Sequence, residues 1–179
     1  MKYITRNLEN VVNQVTKEYP VVLVTGPRQV GKTTMLQKLM EGTGRGYVTL
    51  DDLNERNIAK TDPELFLQLH KPPVLIDEVQ YAPELFTYIK MYVDKNHEPG
   101  AFWLTGSQVF KLMRSVQESL AGRVAVLSLT SLSQAEICGG AMEPFTIDME
   151  ALSARKDGRE EADTRDILSE SIKALCRQL

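Results

Sequence analysis

This sequence has little that supports a metal framework, a disulfide scaffold or a membrane span. Its 179 residues include two cysteines, Cys138 and Cys176, and two histidines, His70 and His97. The cysteine spacing fits neither a zinc site nor a disulfide framework, and no metal-type constellation surrounds the histidines. No apolar run approaches the roughly 18 residues that span a bilayer, and the opening MKYITRNLEN has no apolar signal core. A formal net charge of −3 provides no global basic field to draw nucleic acid, although it leaves room for a local basic patch. No internal repeat is present. These absences lead to the expectation of a cytoplasmic protein. With 25% charged and 42% hydrophobic residues, the composition is ordinary for a globular protein. The length suits one domain with a sizeable core.

Apolar runs alternate with helical patterns from about residue 20 to 130. Val21–Thr25, Tyr47–Leu50, Val74–Asp77, Ala101–Gly106 and Val124–Leu129 read as strands. The intervening patterns predict helices over Thr33–Glu41, from Asp62-Pro63 to about His70, over Pro83–Lys95 and over Val109–Leu120. Pro63 suits a first helical turn, and Leu85, Ile89 and Val93 recur four apart. Leu8, Val11, Val12 and Val15 predict an amphipathic helix before this core, and Ser133–Cys138 a short one after it. Continuous apolar strands interleaved with helices predict an α/β fold, a parallel sheet covered on both faces. From Met142 the pattern weakens. SARKDGREEADTRD has many charges and few apolar residues, so exposure or disorder is expected. ILSESIKALCRQL is amphipathic, but one short helix makes no domain. The expected division is a domain over residues 1–141 and a charged tail over 142–179.

The first strand stops at GPRQVGKT, which fits G-x-x-x-x-G-K-[ST] through Gly26, Gly31, Lys32 and Thr33. A strand precedes it and a helix follows. Successive backbone N–H groups and the helix N-terminus form an anion cradle, and the two glycines allow backbone geometry that a Cβ would obstruct. The candidate nucleotide-binding set is Gly26, Pro27, Gln29, Val30, Gly31, Lys32, Thr33 and Thr34. Lys32 is expected to reach the β/γ-phosphates, and Thr33 to offer its hydroxyl to Mg²⁺. For the side chains of Arg28 and Gln29, at the loop tip, plain exposure is the competing reading.

A bound triphosphate needs a metal and, for hydrolysis, a positioned water. VLIDE supplies Asp77 and Glu78 at the end of a buried strand, roughly fifty residues after the glycine loop. Charges ending an apolar strand of a parallel sheet lie at its carboxyl edge, where ligands bind. Asp77 suits the Mg²⁺ shell, and Glu78 suits a general base that polarises the attacking water. Thr105 and Ser107, in LTGSQ, are candidates to face the γ-phosphate, with turn chemistry around Gly106 as the alternative. Arg123 precedes the fifth strand. It is assigned to the same sheet edge as the glycine loop, as a candidate for stabilising transition-state charge in a neighbouring copy; the alternative is a surface arginine. Asp51 and Asp52 are expected to cap a helix, and His70 and His97 to have no site role.

With these residues in view, the chain resembles the N-terminal ATPase domain of the prokaryotic AAA-type ATPases that carry a C-terminal DUF4143 domain. The resemblance rests on VVLVTGPRQVGKTT, YVTLDD, PPVLIDEVQYAPELF, FWLTGSQ and SLAGRVAVLSLTSLS, spanning about residues 3 to 137. It implies a five-stranded P-loop sheet in the order 5-1-4-3-2, with ATP and Mg²⁺ as cofactors. It further implies Walker A at Gly26–Thr33, Walker B at Asp77-Glu78, sensor 1 at Ser107 or Thr105, and an arginine-finger position near Arg123. The lid and C-terminal domain of that family find no match, and no sensor-2 arginine is assigned, so residues 142–179 are expected to begin a truncated C-terminal region.

Two functional readings follow. One is an Mg²⁺-dependent ATPase module driving a conformational switch, with a homo-oligomer, another protein or DNA as possible partners. The other is a truncated module that holds nucleotide without productive turnover. Asp77-Glu78 argues against a small-molecule kinase, because a water-activating base wastes the phosphoryl donor. A GTPase is disfavoured because no [NT]-K-x-D occurs and DEVQ is not D-x-x-G.

Overall fold

The computed structural model describes residues 3–107, 116 and 119–138 of the chain. The elements are α1 (Leu8–Val15), β1 (Val21–Thr25), α2 (Lys32–Met40), β2 (Gly46–Thr49), α3 (Leu53–Thr61), α4 (Pro63–Leu69) and β3 (Val74–Asp77). A 3₁₀ turn (Val79–Tyr81) then leads to α5 (Leu85–Asn96), β4 (Phe102–Gly106), β5 (Val124–Ser128) and α6 (Gln134–Cys138). The five strands form one sheet in the order β2-β3-β4-β1-β5, with every pairing parallel. This is the order 5-1-4-3-2 read from the other edge, and the α/β fold of a P-loop NTPase. The helix expected over Val109–Leu120 falls largely outside the described residues, and the expected tail over 142–179 falls wholly outside them.

β1 explains the unbroken apolar run. It lies between β4 and β5, with Val21 opposite both Phe102 and Val124, and all five of its residues are buried. Because side chains alternate across a strand, β1 feeds two cores. Val21 and Leu23 join Phe66 of α4 and Leu85, Phe86, Ile89 and Val93 of α5 on one face. Val22 and Val24 join Val12 of α1, Met35 and Leu36 of α2, and Trp103 on the other. The four-residue spacing in α5 thus marks a fully packed stripe. β5 is less buried than its sequence VAVLS implies, with Val126 39% exposed. As the last strand of the order it has a neighbouring strand on one side alone among the described residues.

Between β2 and α4 the apolar pattern marks no helix, but a helix capped from Asp51 and Asp52 is expected there, and α3 begins at that point with Asp52 as its cap. α3 forms with Ala59 as its one buried residue, while Leu53 is 72% exposed. Its start is fixed by a cap: Asp52 Oδ1 accepts from the backbone N–H groups of Asn54 (2.7 Å) and Glu55 (3.2 Å). Asp62 caps α4 likewise, accepting from Leu65 N at 2.9 Å ahead of Pro63 in the first turn. His70, beside Glu55 at 2.8 Å, closes the α3–α4 pair.

Ile89 is fully buried and Met91, two residues on, is 62% exposed. Ile89→Ala is expected to lower unfolding stability by roughly 2–5 kcal/mol through cavity formation. Met91→Ala should change it by less than about 0.5 kcal/mol. Urea titration of the two variants checks the contrast.

Candidate functional site

In a parallel sheet every strand delivers its carboxyl end to the same edge. The adjacency of β3, β4 and β1 therefore gathers three segments: the loop after β1, the Asp77-Glu78 pair ending β3, and Thr105–Ser107 ending β4. The loop leaves β1 at Gly26, whose φ is +144°, and a Cβ there would lie 2.1 Å from the Leu129 carbonyl oxygen. Glycine is thus required by both conformation and space. Pro27, Arg28 and Gln29 form the exposed tip, and Val30 is half-buried behind them. Gly31, in the left-handed region, precedes α2, which has no side-chain cap, so its first-turn N–H groups are available to an anion. Thr33 and exposed Thr34 lie in that turn.

Lys32 is 5% exposed. Its ammonium turns into the loop and donates to the carbonyls of Gly26 (3.1 Å) and Pro27 (2.8 Å). Burial holds its pKa below the ordinary lysine value, and the nearby carboxylates of Glu78 and Asp77 partly oppose that shift. The loop thus keeps a desolvated cation where phosphate oxygens bind in loops of this type.

Asp77, 6% exposed, is the hub of the site. Its Oδ1 accepts from the Thr33 hydroxyl at 2.7 Å and from the fully buried Thr105 hydroxyl. Its Oδ2 accepts from Tyr47 of β2 at 3.4 Å. Burial, and after it the Asp77 charge, holds the Tyr47 phenol above its usual pKa. A hydroxyl and a carboxylate oxygen so placed form the partial oxygen set that Mg²⁺ takes from protein, water and phosphates completing the rest. Glu78 follows in the left-handed region, at φ +56°. Its backbone N–H donates to Thr105 Oγ1 at 3.1 Å. Its carboxylate Oε2 accepts from Ser107 Oγ at 3.3 Å and from the Gln80 amide. Thr105 and Ser107 therefore serve different neighbours, the first Asp77 and the Glu78 backbone, the second the Glu78 carboxylate. Arg28, Gln29, Asp51, Glu78 and Tyr81 line a cleft of about 330 Å³ here. A larger groove of about 630 Å³ lies between α4 and α5, lined by Leu67, Tyr88 and Met91 among others. Neither the glycine loop nor the acidic pair lines that groove, so size does not mark the chemistry.

One assignment is corrected. Arg123 is not at the edge of the glycine loop. It precedes β5, which runs parallel to β1 with Val124 opposite Val21, so it lies at the amino edge, and its carbonyl accepts from Val21 N at 3.3 Å. A five-residue strand separates it from the loop edge, about 16 Å at the usual rise. Its guanidinium is paired with Asp94 near the end of α5, with Nη2 to Oδ2 at 3.1 Å and Nε to Oδ1. Parallel strands send residues before and after a strand to opposite edges.

Three contributing residues escaped the sequence reading. Tyr47 reaches the acidic pair through tertiary structure alone, and Gln80 by turning back from two residues further along the chain. The third, Arg6, is 6% exposed and ties the loop to both flanking segments. It donates to Val30 O of the loop (2.9 Å), to Thr130 O (2.8 Å) and to Glu136 Oε1 of α6 (3.1 Å). Glu136 and Ser133 also form a reciprocal cap on α6, Ser133 N to Glu136 Oε2 at 2.7 Å and Glu136 N to Ser133 Oγ at 3.2 Å. S-x-x-E is the signal that could have drawn attention to Glu136.

Comparison with known proteins agrees with this geometry. The family AAA_14, described as an AAA domain, matches residues 18–138, and the chain belongs to that family. An uncharacterized protein of Mycobacterium bovis and one of Mycobacterium tuberculosis are each 36% identical to it over 125 residues. The match takes in 69% of this chain and 28% of each relative, so the chain spans well under half the length of the relatives it matches. Among solved structures, a Walker-type ATPase of Pyrococcus abyssi superposes with a TM-score of 0.55 at 18% identity, covering 75% of this chain and 55% of that one. At that identity the likeness concerns the fold. The chain is thus an AAA-type P-loop NTPase domain. No helix among the described residues is long and apolar enough to cross a membrane.

Burial by itself would raise the Glu136 carboxyl, but the backbone N–H groups of Ser133 and Asn7 and the Arg6 guanidinium hold it at about 2, against a reference of 4.5. A depressed folded-state pKa stabilises the fold above the unfolded value and is lost as pH falls through the folded one. Glu136→Gln is expected to lower the urea midpoint at pH 7, with the deficit shrinking between about pH 4.5 and 2. A deficit that does not depend on pH would show that the carboxylate charge is not what holds this segment.

Proposed function

We propose that this domain binds ATP with Mg²⁺ on the 26–33 loop and hydrolyses it, using the cycle to drive a conformational switch. The observation that carries the reading is the 2.7 Å bond from the Thr33 hydroxyl to Asp77, one residue before a carboxylate at the same sheet edge. In this reading the N–H groups of the loop and of the first turn of α2 take the phosphates. Lys32 exchanges the carbonyls of Gly26 and Pro27 for β/γ-phosphate oxygens, and Thr33 and Asp77 hold Mg²⁺. Bound there, the metal would neutralise charge on the β- and γ-oxygens. Glu78 accepts a proton from water as the water oxygen bonds to the γ-phosphorus. The bond from that phosphorus to the β–γ bridging oxygen breaks, and its electron pair leaves with ADP. Thr105 supports the step by fixing Asp77 and the Glu78 backbone together, and Ser107 by bonding the Glu78 carboxylate.

Two variants separate binding from chemistry. Lys32→Ala should weaken MgATP at least tenfold by calorimetry, and unchanged affinity would remove the loop assignment. Glu78→Gln keeps size and hydrogen bonding but cannot take the proton. It should bind ATP as the parent does while phosphate release falls about 10²–10⁴-fold. Parental turnover in this variant would exclude Glu78 as the base. Binding without turnover in the parent would favour a nucleotide-holding module.

Arg123, at the amino edge, is too far from its own loop to touch the γ-phosphate, so any part it has in hydrolysis comes from a neighbouring copy. Arg123→Ala should keep parental ATP affinity and hydrolyse at least tenfold more slowly, in line with the large effects of arginine fingers. Mixing it with Glu78→Gln should restore turnover that neither shows alone. Normal hydrolysis by Arg123→Ala would leave the residue as the surface partner of Asp94.

A further inference from the structure

DEVQ carries a residue that the hydrolytic scheme leaves unused. Gln80 lies in the 3₁₀ turn directly after Glu78, and its side chain turns back onto the acid. Its amide nitrogen donates to Glu78 Oε2 and lies 3.4 Å from Ser107 Oγ. Ser107 donates to the same Glu78 oxygen. None of these bonds uses Glu78 Oε1. The other end of the amide, Gln80 Oε1, is buried and has no hydrogen-bond partner among the described residues. The nitrogen is thus the end of the amide that bonds, and its neighbours are the acid and Ser107.

The turn that carries Gln80 is held on both sides. Val79 is fully buried in the core. The Tyr81 ring stacks under the Arg56 guanidinium at 3.9 Å, and its hydroxyl accepts from Arg28, at the tip of the phosphate loop, at 3.3 Å. Arg56 is itself fixed by donating to Leu50 O at 2.7 Å. The amide is therefore presented to the Glu78 carboxylate from a constrained backbone.

We propose that Gln80 is the positioning residue of hydrolysis: its NH₂ group fixes the Glu78 carboxylate through Oε2 and so holds Oε1, which none of these bonds uses, as the oxygen that takes the proton of the attacking water. The carboxylate is thereby held in one orientation, and the proton that leaves the water in the step goes to Glu78, as above. A glutamine orients the attacking water in GTPases; here it follows the acid by two residues and acts through it. The inference rests on Glu78 as the base, and the test separates the two.

Gln80→Ala, Gln80→Glu, Glu78→Gln and the Gln80→Ala/Glu78→Gln double variant are compared with the parent by MgATP calorimetry, steady-state phosphate release and thermal unfolding. Gln80→Ala should keep ATP affinity and KM within about twofold and lower kcat tenfold or more. Gln80→Glu retains the size but loses the donor, and should be equally slow. The double variant should be no slower than Glu78→Gln alone, because a residue acting through another has nothing left to act on. The shifts in Tm of the two single variants should likewise not add in the double, a readout that needs no turnover. Parental kcat in Gln80→Ala, recovery in Gln80→Glu, multiplying rate losses or additive Tm shifts would each overturn the assignment. Parental turnover in Glu78→Gln would instead remove the base, and this inference with it.

Discussion

A carboxylate buried at the end of an apolar strand is costly unless donors satisfy it, and the arrangement of this site follows from that constraint on Asp77. Each oxygen is met by a hydroxyl: Thr33 from the first turn of α2, Thr105 from β4 and Tyr47 from β2. Those partners come from three elements distant in sequence, so the charge can be accommodated only when β2, β3 and β4 are aligned and α2 is packed against them. The electrostatic requirement of one residue thus fixes the relative position of the phosphate loop and the acidic pair. It also fixes Glu78, since Thr105 bonds Asp77 with its hydrogen and the next backbone N–H with its oxygen.

The sheet divides its labour by edge. The carboxyl edge holds hydroxyls, carboxylates and loop amides. The amino edge is fastened by cations. Arg45 lies over the Trp103 ring at 4.1 Å and donates to Gly100 O at 2.8 Å, while Trp103 donates to Thr16 at 3.0 Å. Arg123 and Asp94 add an exposed pair at the same edge. Since both edges are built from residues flanking the same short strands, a position one strand length away in sequence belongs to a different task.

Much of this was legible from residue order alone. Five strands read as continuous apolar runs because a parallel sheet covered on both faces buries both sides of each inner strand. The glycine loop and the acidic pair were legible because their chemistry sits in contiguous residues. The order of the strands came from resemblance to a family, not from periodicity. α3 was legible in the expected cap, which Asp52 supplies, and not in an apolar stripe, since it buries one residue. Proximity to a strand does not place Arg123, because the edge it reaches depends on the direction of that strand. Tyr47 and Arg6 could not be found by pattern, because each acts across tertiary distance on a partner that sequence does not place beside it, and Gln80 because its return onto Glu78 depends on the 3₁₀ turn that carries it.

The left-handed backbone at Glu78 has a consequence for how this chain trades stability against chemistry. A residue with a Cβ in that conformation costs roughly 1–2 kcal/mol relative to glycine. The cost falls at a position whose side chain contributes no apolar burial to either core. A sequence shaped for stability alone would carry glycine or asparagine there, one step beyond an otherwise well-packed strand. Strain of this kind persists where the surroundings over-determine it, and here the anchors are Thr105 on the backbone and Gln80 and Ser107 on the carboxylate. Glutamate at this point therefore works against the folding of its own domain, and stabilising substitutions at position 78 would be gained at the expense of the site.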